Sequence, residues 1–277
     1  MKIAFVTDST SDIPLSERER LGIEVIPAWV NIQGKSYADG IDISREEFYR
    51  RLPRLKPAPT TSSPSAGSFE DCYETLLKSG AEHILSIHAA QNLSGIYNAA
   101  RLAAQGFKQH VSVVDSGQLS LGLGYQVLMA AEAAFHGSPL QEILTLLQDL
   151  HNRVHVAALL ESLEYIRRSG RVSWAKAMLG SLFQIQPLVE LRYGVVQRLG
   201  QARTRAQGIQ RLKDALLTWG PMERLAILHT NAEEAARQLL EEVKSKVSTP
   251  PFVVNVTTVI GTHVGPGGLG FAGVSVS

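Results

Sequence analysis

Three groups of residues have the types and spacing that chemistry requires. The first lies in 83–105, HILSIHAAQNLSGIYNAARLAAQ. A strand-length apolar run, Ile84 to Ile87, passes through a polar loop at Gln91 and Asn92. It then enters 93–105, where Ile96, Ala99, Ala100, Ala103 and Ala104 share one side of a helix. Ser94 and Gly95 are expected in the first turn of that helix. In a parallel sheet this sets a hydroxyl, a glycine and free backbone N–H groups just beyond a strand's carboxyl end, a place that favours an anion. The same residues also serve as an ordinary helix cap.

The second group is PRLKPAPTTSSPS, 53–65. Its four prolines exclude a helix or a central strand, and five hydroxyls follow from Thr60 to Ser65. A solvated linker whose Ser65 caps the next helix is one reading; a proline-stiffened hydroxyl site is the other. The third group is acidic. Asp8 and Asp115 end apolar runs and are each followed by serine, with Asp12 close after Asp8. Such carboxylates suit a phosphoryl acceptor or a magnesium ligand, and equally an Asx turn or helix cap.

Other signals are weaker. Basic residues gather at Arg167, Arg168, Arg171 and Lys176, and again at Arg192, Arg198, Arg203, Arg205, Arg211 and Lys213. They form either a solvated face or a site for an anionic group or acidic partner. His263 is expected in a turn after the last strand, where it suits an anion or simply the surface. Residues 265–270 match GxGxxG, but seven residues remain after Gly270, too few to complete a dinucleotide-binding unit. There is no GxxxxGK[ST], no GxSxG and no HExxH.

The elements that must position these residues alternate. Strands are expected at 2–7, 22–27, 29–32, 84–87 and 111–114. Helices are expected from Pro14, at 44–52 behind a capping box, and at 65–78, 93–105, 119–136 and 139–153. That order implies an α/β fold whose N-terminal domain, 1–153, is a Rossmann-like parallel sheet layer. After His151 the pattern changes. Strands at 154–159, 225–228 and 252–259 join a hairpin across 187–198 with Gly194 in its turn. Helices are expected at 161–168, 175–183, 204–219 and 232–246. A C-terminal α+β mixed-sheet domain, 154–277, follows.

At 277 residues the chain is long enough for two domains. A formal charge of +1 argues against a nucleic-acid binder. The lone Cys72 excludes an internal disulfide and a paired-cysteine zinc site. With the first strand at Lys2 and no long apolar run, neither a signal peptide nor stable membrane insertion is expected, so the cytoplasm is the expected compartment.

Seven stretches together resemble the DegV family of bacterial fatty-acid-binding proteins: TDSTSD at 7–12, TSSPS at 61–65, LSG at 93–95, VDS at 114–116, LEYIRRSGRVS at 163–173, QART at 201–204 and GTHVGPG at 261–267. The resemblance implies two α/β domains with a long-chain fatty acid between them and no cofactor. It implies that Thr61 and Ser94 hold the carboxylate, with Ser62 and His263 at the same polar end. It implies no catalysis by the chain itself. Instead the carboxylate is presented to a separate fatty-acid kinase, past Arg171 and Arg203, and the acyl phosphate feeds phospholipid synthesis. The chain departs from the family pattern at Ser63, often glutamine, at Ser169, often glycine, and in the polar Ala-Ala-Gln-Asn loop before Ser94. The alternative is a magnesium-dependent phosphotransferase or phosphohydrolase using Asp8, Asp12 and Asp115.

Overall fold

A computed structural model describes residues 1–177, 185–247 and 249–277. Elements are numbered in chain order. Four strands form a parallel sheet in the order β2-β1-β6-β7: β1 is Ile3–Asp8, β2 Ile23–Ile26, β6 His83–His88 and β7 Val111–Asp115. Between and beside them run α1 (Leu15–Leu21), α3 (Ala66–Lys78), α4 (Ile96–Ala103), α5 (Leu121–Phe135) and α6 (Leu140–Arg153). β6 is buried along its whole length, as a central parallel strand must be.

A second, mixed sheet has the order β10-β9-β8-β13-β11-β12. Its strands are β8 (Val154–Leu159), β9 (Gln186–Arg192), β10 (Val195–Ala202), β11 (Met222–His229), β12 (Phe252–Asn255) and β13 (Leu269–Ser275). Among the described strands of this sheet, only β11 and β12 pair in parallel. Around it lie α7 (Glu164–Ser169), α8 (Ser173–Ala177), α9 (Arg205–Thr218), α10 (Glu233–Val243) and α11 (Thr258–Val264). The α/β architecture read from the sequence is therefore present, with a parallel sheet in the first half and a separate mixed sheet in the second. Of the helix expected at 175–183, residues 178–183 lie outside the described residues.

Helix α5 is the shared core. It is buried from Leu121 to Ala131 and packs into one apolar cluster with Phe5, Leu85 and Ile87 of the parallel sheet and Val154, Leu228, Ala272 and Val274 of the mixed one. Two glycines permit this approach on opposite sides. A Cβ on Gly122 would sit 2.4 Å from Val156, and one on Gly124 would sit 2.5 Å from the Ser11 carbonyl.

Three expectations are corrected. A third, antiparallel sheet is made of β3 (Trp29–Ile32), β4 (Lys35–Ala38) and β5 (Thr60–Ser62) in the order β4-β3-β5, beside α2 (Arg45–Arg51). The proline-rich segment is thus partly a strand, admitted because β5 is an edge, and Pro53 sits in a short 3-10 turn. The strand expected at 252–259 stops at Asn255, and Thr258 begins α11. The Thr257 hydroxyl caps that helix, accepting from the Val259 and Ile260 N–H groups. Finally, the strand beginning at Phe252 is not the last. β13 runs through the middle of the mixed sheet, between β8 and β11. Its glycines, alanine and serine dilute the strand signal.

Candidate functional site

The site begins with β5. Thr61 pairs with Val30 of β3, and Ser62 with Trp29. Successive strand residues face opposite ways. The Ser62 hydroxyl accordingly turns to the outer face, where the Asn31 amide donates to it at 3.4 Å. Thr61 and Ser63 share the other face. Thr61 Oγ1 lies 2.8 Å from His263 Nε2 on α11, 202 positions away in sequence. The Ser63 hydroxyl lies 3.2 Å from where a Cβ on Gly95 would stand. Ser63 is the residue sequence reasoning missed. The two-residue alternation would have found it, had the segment been read as a strand.

Ser94 lies beyond the carboxyl end of β6, as expected, but before α4 rather than inside its first turn. The Leu93 and Ser94 N–H groups both donate to the Ala90 carbonyl, at 2.9 and 3.1 Å, and this turn delays the helix to Ile96. Ser94 Oγ accepts the Ile96 N–H at 3.4 Å. Ser94 and Thr61 therefore come from different sheets, not from one parallel layer.

Both residues line a cavity of about 340 Å³, together with Ser62, Ser63, Arg171 and His263. It adjoins a second cavity of about 120 Å³, and the two share Leu119, Ile166, Val196, Ile260 and Val264. The second is walled by side chains such as Val156, Leu160, Val189, Leu191, Leu228 and Leu269. The arrangement is hydroxyl-rich at one end and hydrocarbon at the other.

His263 is therefore in the last turn of a helix, not in a turn after the last strand. Burial, with the Arg171 guanidinium nearby, pushes its imidazole down to about 4, so the ring is neutral at pH 7. α11 itself is held by the first half of the chain. Asp12 accepts the Thr257 N–H at 3.0 Å, and Asp39 accepts the Thr258 N–H at 3.1 Å and its hydroxyl at 2.6 Å. Tyr49 donates its hydroxyl to the Val256 carbonyl at 2.9 Å. Gly261 leaves room for that ring, since a Cβ there would meet Tyr49 Oη at 2.3 Å.

The acidic strand ends do not converge on a ligand. Asp12 is fully buried and pairs with Arg45 at 3.1 Å, while Ser120 donates to it at 2.6 Å. Burial nevertheless pushes its carboxyl up to about 6. Asp8 accepts from Thr10 and stands 3.0 Å from His88 Nδ1; Asp115 accepts from the Gly117 and Gln91 N–H groups. No group of three His, Cys, Asp or Glu side chains among the described residues is placed to hold a metal.

The basic segment is less bare than its sequence suggests. Arg168 pairs with Glu164, Arg205 with Glu161 and Lys213 with Glu242. The first pair is local, one turn apart on α7, and the other two counter-ions come from distant segments. Arg171 lines the polar cavity, and its Nη1 donates to the Ser169 carbonyl at 2.7 Å. Arg203 is exposed in the turn between β10 and α9, outside that cavity. No helix among the described residues is long and apolar enough to cross a membrane.

Comparison with known proteins gives one answer throughout. The family model described as "Uncharacterised protein, DegV family" matches residues 2–275. A DegV domain-containing protein of Staphylococcus aureus (strain COL) is 34% identical over 273 residues, covering 97% of each chain. A solved DegV family protein of Thermus thermophilus, described by its fatty-acid binding, is 36% identical; the alignment covers 100% of both chains with a TM-score of 0.93. DegV of Bacillus subtilis, described as a fatty acid binding protein, is 32% identical over 100% of both chains, with a TM-score of 0.89.

Proposed function

The chain belongs to the DegV family, and from that premise we propose that it binds a long-chain fatty acid without acting on it chemically and presents the carboxylate to a separate fatty-acid kinase. The observation that carries this reading is the pair of adjoining cavities, one lined by hydroxyls and a neutral imidazole, the other by hydrocarbon. Relatives at 36% and 32% identity are described as fatty-acid binders, which supports the ligand class.

In this reading Thr61 and Ser94 donate their hydroxyl protons to the carboxylate. The neutral His263 donates its Nε2–H to Thr61 Oγ1, which leaves the Thr61 proton free for the ligand. Ser62 stands beside them, its hydroxyl engaged by Asn31. The free N–H groups at the start of α4 add partial positive charge. The tail occupies the hydrocarbon cavity. Each buried CH₂ contributes about 0.8 kcal/mol, so a tail of about 16 carbons has roughly 12 kcal/mol available before ordering costs. A hydroxyl bond to a charged group contributes about 1.5–3 kcal/mol. The tail therefore sets affinity and the hydroxyls set orientation, the division a carrier for a kinase needs.

Residues 1–153 then form the domain that carries the carboxylate site, and 154–277 the domain that covers the acyl chain. Arg171, beside the polar cavity, and Arg203, exposed, meet the kinase or the phosphate it transfers. The place of action is the cytoplasm, upstream of phospholipid synthesis. Native mass spectrometry of the protein purified from a bacterial host tests this. A bound long-chain carboxylic acid is expected. Protein that arrives empty and transfers or hydrolyses phosphate overturns the reading.

A further inference from the structure

The loop that delivers Ser94 is gripped from both sides by carboxylates. β6 lies between β1 and β7 in the parallel sheet. Its outgoing loop, 89–94, therefore emerges between the carboxyl ends of its two neighbours. Asp8 is the last residue of β1, and Asp115 is the last of β7. Asp8 Oδ2 accepts the Ala89 N–H at 3.2 Å. Asp115 Oδ1 accepts the Gln91 N–H at 3.2 Å. Between them the Ala90 N–H donates to the Gln118 carbonyl at 3.0 Å. Three successive N–H groups are thus tied down, two to neighbouring strand ends and one to the loop that follows β7. The Ala90 carbonyl, so fixed, accepts the Ser94 N–H.

A buried chain of polar groups backs the Asp8 side. Tyr73 Oη is 2.8 Å from Ser86 Oγ, Ser86 Oγ is 2.6 Å from His88 Nε2, and His88 Nδ1 is 3.0 Å from Asp8 Oδ2. Its composition is that of a nucleophilic triad. Its setting is not, because Ser86, His88 and Asp8 are fully buried and line neither cavity. The chain terminates on a backbone N–H of the Ser94 loop instead of on a substrate. Carboxylates suit this task because they only accept and can hold two donors at once. Asp8 also serves Thr10, and Asp115 also serves Gly117.

We propose that Asp8 and Asp115 are positioning residues that clamp the 89–94 loop, so that the orientation of Ser94, and with it the preference for a carboxylate head group, depends on them. The inference rests on the fatty-acid reading of the cavity. Its test is the ratio of affinities for palmitate and for hexadecanol, which share a tail and differ in the head. Both are measured on the full chain by displacement of a fluorescent fatty acid. Wild type is expected to prefer palmitate. Ser94→Ala is expected to cut the preference about tenfold, the loss of one hydrogen bond to a charged group. Asp115→Ala is expected to reproduce most of that loss while hexadecanol affinity stays the same. Asp115→Asn, whose amide oxygen still accepts, is expected to keep the preference. Adding Asp115→Ala to Ser94→Ala is expected to change nothing further.

A normal ratio in Asp115→Ala, or an extra loss in the double variant, overturns the clamp and leaves the fatty-acid reading standing. Failure of the wild type to bind palmitate overturns that reading and the clamp with it. If Asp115→Ala does not fold, amide exchange in the wild type decides. The Ala89 and Gln91 N–H groups are expected to exchange slowly, and exchange as fast as in an open loop overturns the proposal.

Discussion

Replacing His263 by glutamine should change how stability depends on pH, by an amount the geometry sets. The imidazole titrates near 6.5 when free and is pushed down to about 4 in the folded chain. Between those values the unfolded chain binds a proton that the folded chain does not. Stability from this residue is therefore complete above 6.5 and is lost as pH falls towards 4. From about pH 7.5 to about pH 5 the loss works out at about 2 kcal/mol. Glutamine keeps a polar group within reach of Thr61 but carries no proton equilibrium. Urea unfolding of both proteins at the two pH values measures the difference. Asp12 and His155 titrate in the same range, but they are common to both proteins and cancel. The wild type should lose about 2 kcal/mol more than His263→Gln. Equal losses would refute the neutral, buried imidazole on which the head-group reading depends. A saturating fatty acid should shrink the wild-type loss, because a carboxylate beside the ring favours its protonated form.

Three further outcomes are expected. Thr61→Ala with Ser94→Ala should remove two bonds of about 1.5–3 kcal/mol each while leaving the tail's contribution. Displacement titration should then show weakened but surviving binding, and acyl-phosphate formation by the purified kinase should fall further than affinity; unchanged turnover would remove both hydroxyls from the site. Arg203→Ala, and more weakly Arg171→Ala, should leave lipid loading intact and block phosphorylation, whereas normal turnover at equal loading would exclude these arginines. Gly261→Ala should cost about 1–3 kcal/mol, since its Cβ meets Tyr49 at 2.3 Å and Tyr49 is bonded to Val256. Denaturant unfolding measures that cost, and an unchanged midpoint would mean the ring yields freely.

Much of this was legible because it is local. The alternation of apolar runs gave the parallel strands, and Ser44 and Ser65 cap their helices as read from the sequence, each accepting the N–H three residues on, as Thr204 also does for α9. Ser94 beyond β6 was legible for the same reason. What was hidden is what depends on distant partners. Proline marks 53–65 as irregular, yet Trp29–Ile32 accepts its Thr60–Ser62 stretch as an edge strand. The strand expected to reach Val259 ends early because Asp12 and Asp39, more than 200 positions away, accept the N–H groups that start a helix. Asp8 and Asp115 could be read as turn caps or as acids for chemistry because a buried acceptor of backbone N–H groups has the same sequence signature as a catalytic carboxylate.

The placement of α11 explains why the cavity needs both halves of the chain. In sequence it follows β12 of the mixed sheet, and its Ile260 and Val264 line both cavities. Its amino end, however, is capped by Asp12 and Asp39, and its flank is fixed by Tyr49 and by the Thr61–His263 pair. Among the described residues the only side-chain hydrogen-bond partner of His263 is a residue of β5, in a different sheet from the strand that leads into its own helix. On the fatty-acid reading, an ordered head group requires the two halves to be docked, because moving α11 with the mixed sheet would break the buried bonds to Asp12 and Asp39. Those bonds are worth most when made and cost most when left open, since their acceptors are carboxylates with almost no exposure. On the fatty-acid reading, His263 at the cavity's polar end is therefore held in place by both halves of the chain, through α11 and through Thr61.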